Sequence, residues 1–172
     1  MNHSNNVAIE QAHTPIQLEQ IHVLFLEYAA SLEISLCFQN FEQELATLPG
    51  KYAPPRGELL IATEAGDTAG CVALRPLAGE LCEMKRLFVR PRWRGRGVGR
   101  FLSERIIQAA RSIGYRRMRL DTLASMKPAI ELYRSLGFQS IEPYYENPSE
   151  LAVFMELRLA EQLRAVPRKI SR

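Results

Sequence analysis

The fold of this chain is decided by the stretch Leu87-Phe88-Val89-Arg90-Pro91-Arg92-Trp93-Arg94-Gly95-Arg96-Gly97-Val98-Gly99-Arg100. An apolar strand runs into a turn broken by Pro91, and a glycine-rich loop then leads into the start of a helix. Glycine lets backbone N–H groups approach a ligand without a side chain in the way. The first N–H groups of a helix lack partners within it and lie at the positive end of its dipole. The stretch therefore predicts an anion site suited to a pyrophosphate.

Two other interpretations of these glycines stay open at this point. A dinucleotide-binding loop requires the spacing GxGxxG, whose third glycine would fall at Arg100. A plain tight turn would also use several glycines. The phosphate-binding motif GxxxxGK[ST] does not occur in the sequence, which excludes a P-loop.

The positive charge of the chain is concentrated in the same stretch. Residues 85–100 contain seven basic residues and no acidic ones, whereas the whole chain has 22 basic and 19 acidic residues and a net charge of +3. The sequence therefore predicts a mildly acidic domain with one basic loop. A nucleic-acid binder is the alternative for an arginine run, but only Phe88 and Trp93 are interleaved as aromatic residues. We expect no nucleic acid partner.

Hydrophobic spacing predicts one α/β domain over residues 1–172, with residues 7–160 structured and a basic tail at 161–172. Helices are predicted to begin at Pro15 and to cover residues 41–48, 97–113 and 129–136. Strands are predicted over residues 7–9, 58–64, 69–74, 81–89, 117–122, 138–141 and 151–159. Thr14 and Gln17 have the pattern of a capping box, and Asn40 is expected to cap the second helix.

The strand at residues 81–89 is predicted to be the third of three consecutive antiparallel strands. Side chains alternate between the two faces of a strand. One face would then carry Leu81, Glu83, Lys85, Leu87 and Val89. The other face would carry Cys82, Met84, Arg86 and Phe88.

Several classes of protein are excluded by what the sequence lacks. Three cysteines without CxxC spacing argue against a disulfide framework and a zinc site, and they fit a reducing compartment. All three histidines lie within the first 22 residues, so we expect no metal cluster and no Ser-His-Asp or Cys-His pair. No apolar run approaches the roughly 18 residues that span a bilayer, and the N-terminus lacks the apolar core of a signal peptide. We therefore expect a cytoplasmic protein with no membrane association.

The spacing Val89-x-x-x-x-Arg94-x-x-Gly97-x-Gly99 resembles the coenzyme A signature of the GNAT superfamily of N-acetyltransferases, (V/I)xxxx(Q/R)xxGx(G/A). A second block, Ala129-x-x-x-Tyr133-x-x-x-Gly137-Phe138, resembles the fourth-helix motif of that superfamily and the strand after it. The resemblance implies a mixed α/β (α+β) fold, in which about four helices surround a mostly antiparallel central sheet. It also implies that the fourth and fifth strands splay apart to admit the cofactor.

Acetyl-CoA is the co-substrate that this resemblance implies. Backbone groups of Leu87, Phe88 and Val89 would pair with its pantetheine arm, and a bulge in that strand would help to aim them. Its pyrophosphate would bind to N–H groups of seven consecutive residues, namely Arg94, Gly95, Arg96, Gly97, Val98, Gly99 and Arg100. Many members have Asn three positions before the helix alanine, where this chain has Met126, so one contact to the pantetheine arm would be lost.

The resemblance further implies an N-acetyltransferase in which a neutral amine attacks the thioester directly. Tyr133 matches the tyrosine that faces the sulfur and would give a proton to the departing thiolate, with packing of its ring as the alternative. Glu83 lies where histone-type members carry their base, and Asp121 lies where ribosomal N-terminal acetyltransferases carry a glutamate. A salt bridge between Glu83 and a neighbouring basic residue is the competing interpretation. Proton loss through water, without a dedicated base, also stays open.

The acceptor is expected to bind between residues 31–40, 51–57 and 143–150. In the last of these segments, Tyr144, Tyr145 and Asn147 are candidate substrate contacts, with aromatic packing of the turn as the alternative. A small-molecule amine or an amino acid is the first expectation for the acceptor. A protein N-terminus or lysine, and a non-catalytic CoA-binding domain, are the alternatives. Whether the chain forms a homodimer stays open.

Overall fold

The computed structural model describes residues 6–32 and 34–159, which form one seven-stranded sheet with four α-helices. The strands are β1 (Ala8–Gln11), β2 (Glu58–Glu64), β3 (Asp67–Ala78), β4 (Leu81–Val89), β5 (Arg117–Leu123), β6 (Gln139–Ile141) and β7 (Ala152–Arg158). The helices are α1 (Pro15–Ser31), α2 (Phe41–Ala46), α3 (Val98–Ile113) and α4 (Lys127–Ser135). Short 3₁₀ turns lie at Cys37–Gln39, Gly50–Tyr52 and Pro91–Trp93. The predicted tail at 161–172 lies outside the described residues.

The strand order across the sheet is β1-β2-β3-β4-β5-β7-β6. Neighbouring strands are antiparallel except for β4 and β5, which are parallel. This topology confirms the mixed, mostly antiparallel sheet that the sequence predicts. The three antiparallel strands predicted between residues 58 and 89 are also confirmed, as β2, β3 and β4.

The two predicted helix caps have different outcomes. Thr14 Oγ1 accepts the N–H of Gln17 at 3.2 Å, and the Gln17 side chain accepts the N–H of Thr14 at 3.1 Å, so the capping box of α1 is confirmed. Asn40 makes no side-chain cap to α2, and that prediction is wrong. Asn40 instead has a left-handed backbone with φ of 54°, which asparagine tolerates and which turns the chain into α2.

Apolar side chains form a cluster on each face of the sheet. Helices α1 and α2 cover one face, where Phe25 and Phe41 are buried. Helix α3 covers the opposite face with Leu102 and Ile106, and Tyr133 of α4 joins that cluster. The central strands are therefore covered on both faces, which is why β4 is buried almost throughout.

A bulge at Arg86 interrupts the pleat of β4. Between the pairs Cys71↔Phe88 and Ala73↔Lys85, strand β3 advances by two residues while β4 advances by three. Arg86 lies at this extra position with a left-handed backbone, at φ of 57°. The bulge that the family resemblance implies is therefore present.

Because of the bulge, the strict alternation of faces predicted along β4 is wrong beyond Lys85. Met84 packs on the α3 side of the sheet, and Leu87 and Val89 pack on that side too. Phe88 lies on the other side with α1 and α2, and Arg86 reaches α2 as well. The faces are exchanged at the bulge, because one additional residue shifts a period of two by one position.

Strands β4 and β5 separate toward the end that carries the glycine-rich loop. Their parallel pairing runs only from Leu81↔Arg117 to Glu83↔Arg119. Beyond Glu83, the backbone edges of the two strands face a cleft instead of each other. This separation confirms the splayed fourth and fifth strands that the family resemblance implies.

Gly70 of β3 allows a close approach to the end of β4. A Cβ at this position would lie 2.4 Å from the carbonyl oxygen of Phe88 and 3.2 Å from the Cα of Val89. We expect Gly70→Ala to lower the free energy of unfolding by about 2–3 kcal/mol in denaturant titrations, because backbone atoms must move to admit the methyl group. Gly99→Ala is the control, since its Cβ would meet only side chains at 3.7 Å, and we expect a change within about 0.5 kcal/mol. An unchanged stability of Gly70→Ala would contradict this packing.

Candidate active site

A cleft opens where β4 and β5 separate. Its walls come from α1, from the two strands and from the start of α4, and side chains that line it include Tyr28, Met84, Leu87, Asp121, Met126 and Tyr133. The unpaired backbone edges of β4 and β5 also face this space. The cleft thus combines free peptide groups with a phenol and a carboxylate.

The glycine-rich loop forms the N-terminal end of α3. Gly95 and Gly97 have positive φ values of 72° and 79°, where other residues are strained. The first bond into the helix runs from the N–H of Phe101 to the carbonyl oxygen of Gly97, at 3.0 Å. The N–H groups of residues 98–100 therefore precede the first hydrogen bond of the helix and lie at the positive end of its dipole. This geometry suits the predicted anion site.

The side chains of the basic run are mostly paired, which the sequence did not indicate. Six of its seven cations form ion pairs of 2.5–3.6 Å, namely Lys85 with Asp121, Arg86 with Glu44, Arg90 with Glu27, Arg92 with Asp67, Arg96 with Glu64 and Arg100 with Glu104. Arg94 donates its Nε–H to the carbonyl oxygen of Val89 at 2.9 Å. An anion at this loop would therefore depend mainly on backbone N–H groups and on the helix dipole.

Tyr133 is packed in the core at one side and lies against the cleft at the other. It is 7% exposed, and its ring makes an edge contact with Phe138 at 5.7 Å between centroids. Burial raises the pKa of the Tyr133 phenol well above its ordinary value, so the group stays protonated at neutral pH. Close by, Met126 accepts the hydroxyl of Thr122 through its sulfur at 3.6 Å, at the position where the family resemblance implies asparagine.

Glu83 is buried in a salt bridge. Its side chain is 1% exposed, and its Oε1 accepts from Nε and Nη2 of Arg75 at 2.8 and 2.7 Å. Its Oε2 accepts the hydroxyl of Tyr144 at 2.6 Å. Glu83 therefore has the salt bridge that was the competing interpretation of the sequence, and its side chain does not line the cleft.

Asp121 is the candidate carboxylate that lies in the cleft with Tyr133. Its Oδ1 is 3.4 Å from Nζ of Lys85, and its Oδ2 accepts the hydroxyl of Tyr145 at 2.8 Å. Asn147 in turn donates to the Tyr145 hydroxyl at 2.9 Å. Of the loop residues singled out in the sequence, Tyr144 and Tyr145 thus bind the two candidate bases, and Asn147 binds Tyr145.

A second cavity meets the cleft at Gln39 and Lys85, because both residues line both spaces. Its other walls come from α2, from the 3₁₀ turn at Gly50–Tyr52, and from Arg75 and Tyr145. It lies among the three segments in which the sequence places the acceptor. Two reactants, one in each space, could therefore meet beside Lys85.

Sequence reasoning missed the burial of two charged residues of β4, of which Lys85 lines both spaces. Lys85 is 6% exposed and donates to Oε1 of Gln39 at 3.0 Å, and burial lowers the pKa of this lysine. Arg86 is 4% exposed and binds Glu44 at 2.7 Å. A signal was present, since two consecutive cations inside an apolar strand require carboxylate partners once they are buried.

The model of the acetyltransferase (GNAT) family matches residues 19–138, which contain the cleft and the glycine-rich loop. The chain belongs to this family. An uncharacterized N-acetyltransferase of Schizosaccharomyces pombe is 43% identical to this GNAT chain over 159 residues, which cover 91% of the chain and 98% of that relative. The protein is an N-acetyltransferase, as the family resemblance implies.

Solved GNAT structures share the fold. An acetyltransferase of the family from Staphylococcus aureus Mu50 matches with a TM-score of 0.73 at 18% identity, and the match covers 90% of this chain and 99% of that one. An acetyltransferase from Salmonella typhimurium, solved with its cofactor acetyl-CoA, matches with a TM-score of 0.66 at 21% identity over 96% of this chain and 99% of that one. The expected co-substrate is therefore one that a protein of this fold binds.

Three further observations concern other chemistries. Within residues 6–32 and 34–159, no group of three or more His, Cys, Asp or Glu side chains could hold a metal ion. None of the helices in the part of the chain that the structure describes is both long and apolar enough to cross a membrane. Cys71 and Cys82 are buried, and burial raises the pKa of the Cys82 thiol to about 12, which disfavours a thiolate nucleophile there.

All six tyrosines have a raised pKa, mainly because of burial: Tyr28, Tyr52, Tyr115, Tyr133, Tyr144 and Tyr145. The folded state therefore keeps phenolic protons that the unfolded chain loses, so stability is full below a pH of about 10 and falls as the pH rises further. We expect ultraviolet titration of the native protein to show less tyrosinate at pH ~10 than the protein in denaturant, which titrates normally there. A native tyrosine that titrates at its ordinary pKa would contradict this burial.

Proposed function

We propose that this GNAT enzyme transfers the acetyl group of acetyl-CoA to the primary amine of a small molecule or an amino acid. The observation that carries the proposal is the meeting of two cavities at Gln39 and Lys85. One cavity lies between the splayed strands, and the other is bounded by polar side chains of the same chain. A site enclosed by a few polar groups suits a small acceptor better than an extended polypeptide.

The glycine-rich loop fits the pyrophosphate of acetyl-CoA. Gly95 and Gly97 have positive φ values and leave their backbone uncovered, and the N–H groups of residues 98–100 begin the helix. The backbone of residues 87–89 is assigned to the pantetheine arm, because this edge of β4 is not paired with β5. Acetyl-CoA supplies an activated thioester to a site that otherwise holds only protein groups.

Asp121 is the carboxylate that we assign to the amine. It lines the cleft, which Glu83 does not, and its ion pair with Lys85, at 3.4 Å, is longer than the 2.7 Å pair between Glu83 and Arg75. The acceptor ammonium would bind to Asp121, transfer one proton to it and then attack as the neutral amine. Glu83 is a positioning residue in this scheme, since it orients Arg75 and Tyr144 without lining the cleft.

Tyr133 is assigned to the sulfur side of the reaction. Its protonated hydroxyl would give a proton to the departing thiolate and recover one from solvent. Backbone N–H groups on the unpaired edge of β4 would donate hydrogen bonds to the carbonyl oxygen of the thioester as negative charge develops on it. The bond to sulfur breaks as the bond to nitrogen forms, so no acetylated side chain is required.

Binding of acetyl-CoA tests the loop. We expect Gly97→Val to weaken the affinity measured by calorimetry by at least about tenfold, because valine is strained at φ of 79° and its side chain covers the N–H groups. Gly79→Val is the matched control, since Gly79 also has a positive φ, of 54°, but lies in the turn between β3 and β4. It should lose stability and keep its affinity. Equal affinities for acetyl-CoA in both variants would contradict binding of the pyrophosphate at the glycine-rich loop.

Three isosteric substitutions separate the catalytic roles. We expect Tyr133→Phe to lower kcat by about 10²-fold with little change in acetyl-CoA affinity, as loss of a proton donor predicts. Asp121→Asn should remove the acidic limb of the pH–rate profile, and Glu83→Gln should keep that limb while lowering the free energy of unfolding. Thiol release from acetyl-CoA is the measurement. If only Glu83→Gln lost the acidic limb of the pH–rate profile, Glu83 and not Asp121 would be the base. If peptides were acetylated in preference to small amines, the proposal of a small acceptor would be overturned.

A further inference from the structure

We propose that the amine accepted by this enzyme also carries an anionic group, a carboxylate or a phosphate, that binds to Lys51 and Arg75. The inference rests on the proposed function, because it names the acceptor class of the same site. Its basis is the second cavity, beyond Gln39 and Lys85, which we call the acceptor cavity.

Cations outnumber carboxylates in the wall of the acceptor cavity. Lys51, Arg75 and Lys85 line it, and Glu44 is the one carboxylate among the described residues that do so. The charge of Glu44 is already compensated, since it binds the buried guanidinium of Arg86 at 2.7 Å and also accepts a tyrosine hydroxyl. Arg75 and Lys85 also pair with carboxylates, Glu83 and Asp121, but those carboxylates lie outside this wall, so the charged side chains that an acceptor meets are mainly cationic.

The carboxylate partners of these cations do not line the acceptor cavity. Arg75 binds Glu83 through Nε and Nη2, and its side chain is 27% exposed. Across residues 6–32 and 34–159, Nη1 of Arg75 makes no hydrogen bond and Lys51 makes no ion pair. An arginine that offers one edge to a buried glutamate keeps another edge for a planar or tetrahedral anion.

The charge pattern determines which amines can reach the cleft. An acceptor that enters through the acceptor cavity brings its ammonium past Lys51, Arg75 and Lys85 on the way to Asp121, so a simple cation is repelled along this route. An anionic group on the same molecule offsets this repulsion when it binds at Lys51 and Arg75. The cavity thus favours an amine at one end and an acid at the other, and disfavours diamines.

Matched pairs of amines test the anionic group. The full-length enzyme is assayed by thiol release with glycine and glycinamide, β-alanine and its amide, phosphoethanolamine and ethanolamine, and with putrescine as a diamine. We expect the anionic member of at least one pair to have a kcat/KM about fivefold or more above its neutral partner, and putrescine to be poorest. The glycine and β-alanine pairs test a carboxylate, and the phosphoethanolamine pair tests a phosphate, so the assay shows which anionic group the cavity binds. The amides have more neutral amine at a given pH, so a preference for the acids cannot come from amine basicity.

Substitutions then assign the preference to the cavity. We expect Lys51→Gln to lower kcat/KM for the anionic acceptor by about fivefold through KM, and Lys51→Glu to lower it further and to improve relative use of putrescine. The KM for acetyl-CoA should not change. Arg105→Gln is the matched control, because it removes one exposed cation from α3, on the opposite face of the sheet. Arg105→Gln should leave the ratio of kcat/KM between anionic and neutral acceptors as it is in the wild type.

The possible failures are distinguishable. Transfer to neutral amines and diamines as readily as to anionic ones would overturn this inference and leave the proposed function intact. A preference for anionic acceptors that survives Lys51→Glu would also overturn it, because the anion would then bind elsewhere. Binding of acetyl-CoA without transfer to any amine of the panel or to peptides would overturn the proposed function, and the inference with it.

Discussion

The buried ion pair between Arg86 and Glu44 is the interaction on which the rest of the site depends. Arg86 has a left-handed backbone at the bulge of β4, a conformation that costs a non-glycine residue about 1 kcal/mol or more. Its guanidinium is held by Glu44, by Oε1 of Gln39 and by two aromatic rings. Removing either partner would leave the other charge buried and unpaired, at a cost of about 3–5 kcal/mol. The bulge exchanges the faces of β4, and it directs Lys85 toward the acceptor cavity and Leu87 toward the cleft.

The separation of β4 and β5 explains how one sheet can serve two reactants. Beyond Glu83 the backbone groups of β4 and β5 no longer form hydrogen bonds with each other. Their peptide groups are therefore available to the pantetheine arm that carries the thioester. Gln39 and Lys85 close the end of this space and form the wall that it shares with the acceptor cavity. The buried thiol of Cys82 is a poor nucleophile, which is consistent with the direct attack that we propose.

Local signals were enough to predict most of the fold. The bounds of β2 and β4 agree with those predicted, and the capping box at Thr14 formed, because each depends on residues a few positions apart. The bulge followed from the family resemblance, but the exchange of faces did not follow from an alternating pattern. Choosing between Glu83 and Asp121 was beyond the sequence, because Tyr144, which engages Glu83, lies 61 residues away along the chain. The pairing of the basic run was missed for the same reason, since all of its carboxylates except Glu104 come from distant segments.

The two halves of the site differ in how they are built. The cofactor side consists of strands and the start of a long helix, whose backbone bonds join it to the whole sheet. The acceptor side consists of short turns at Cys37–Gln39 and Gly50–Tyr52 and of the loop at 143–150. None of these three segments forms a strand of the sheet. Substitutions in these turns can alter the amine that is accepted without disturbing the strands. Divergence of a lineage toward new amines would therefore be expected to accumulate in these three segments while the sheet stays constant.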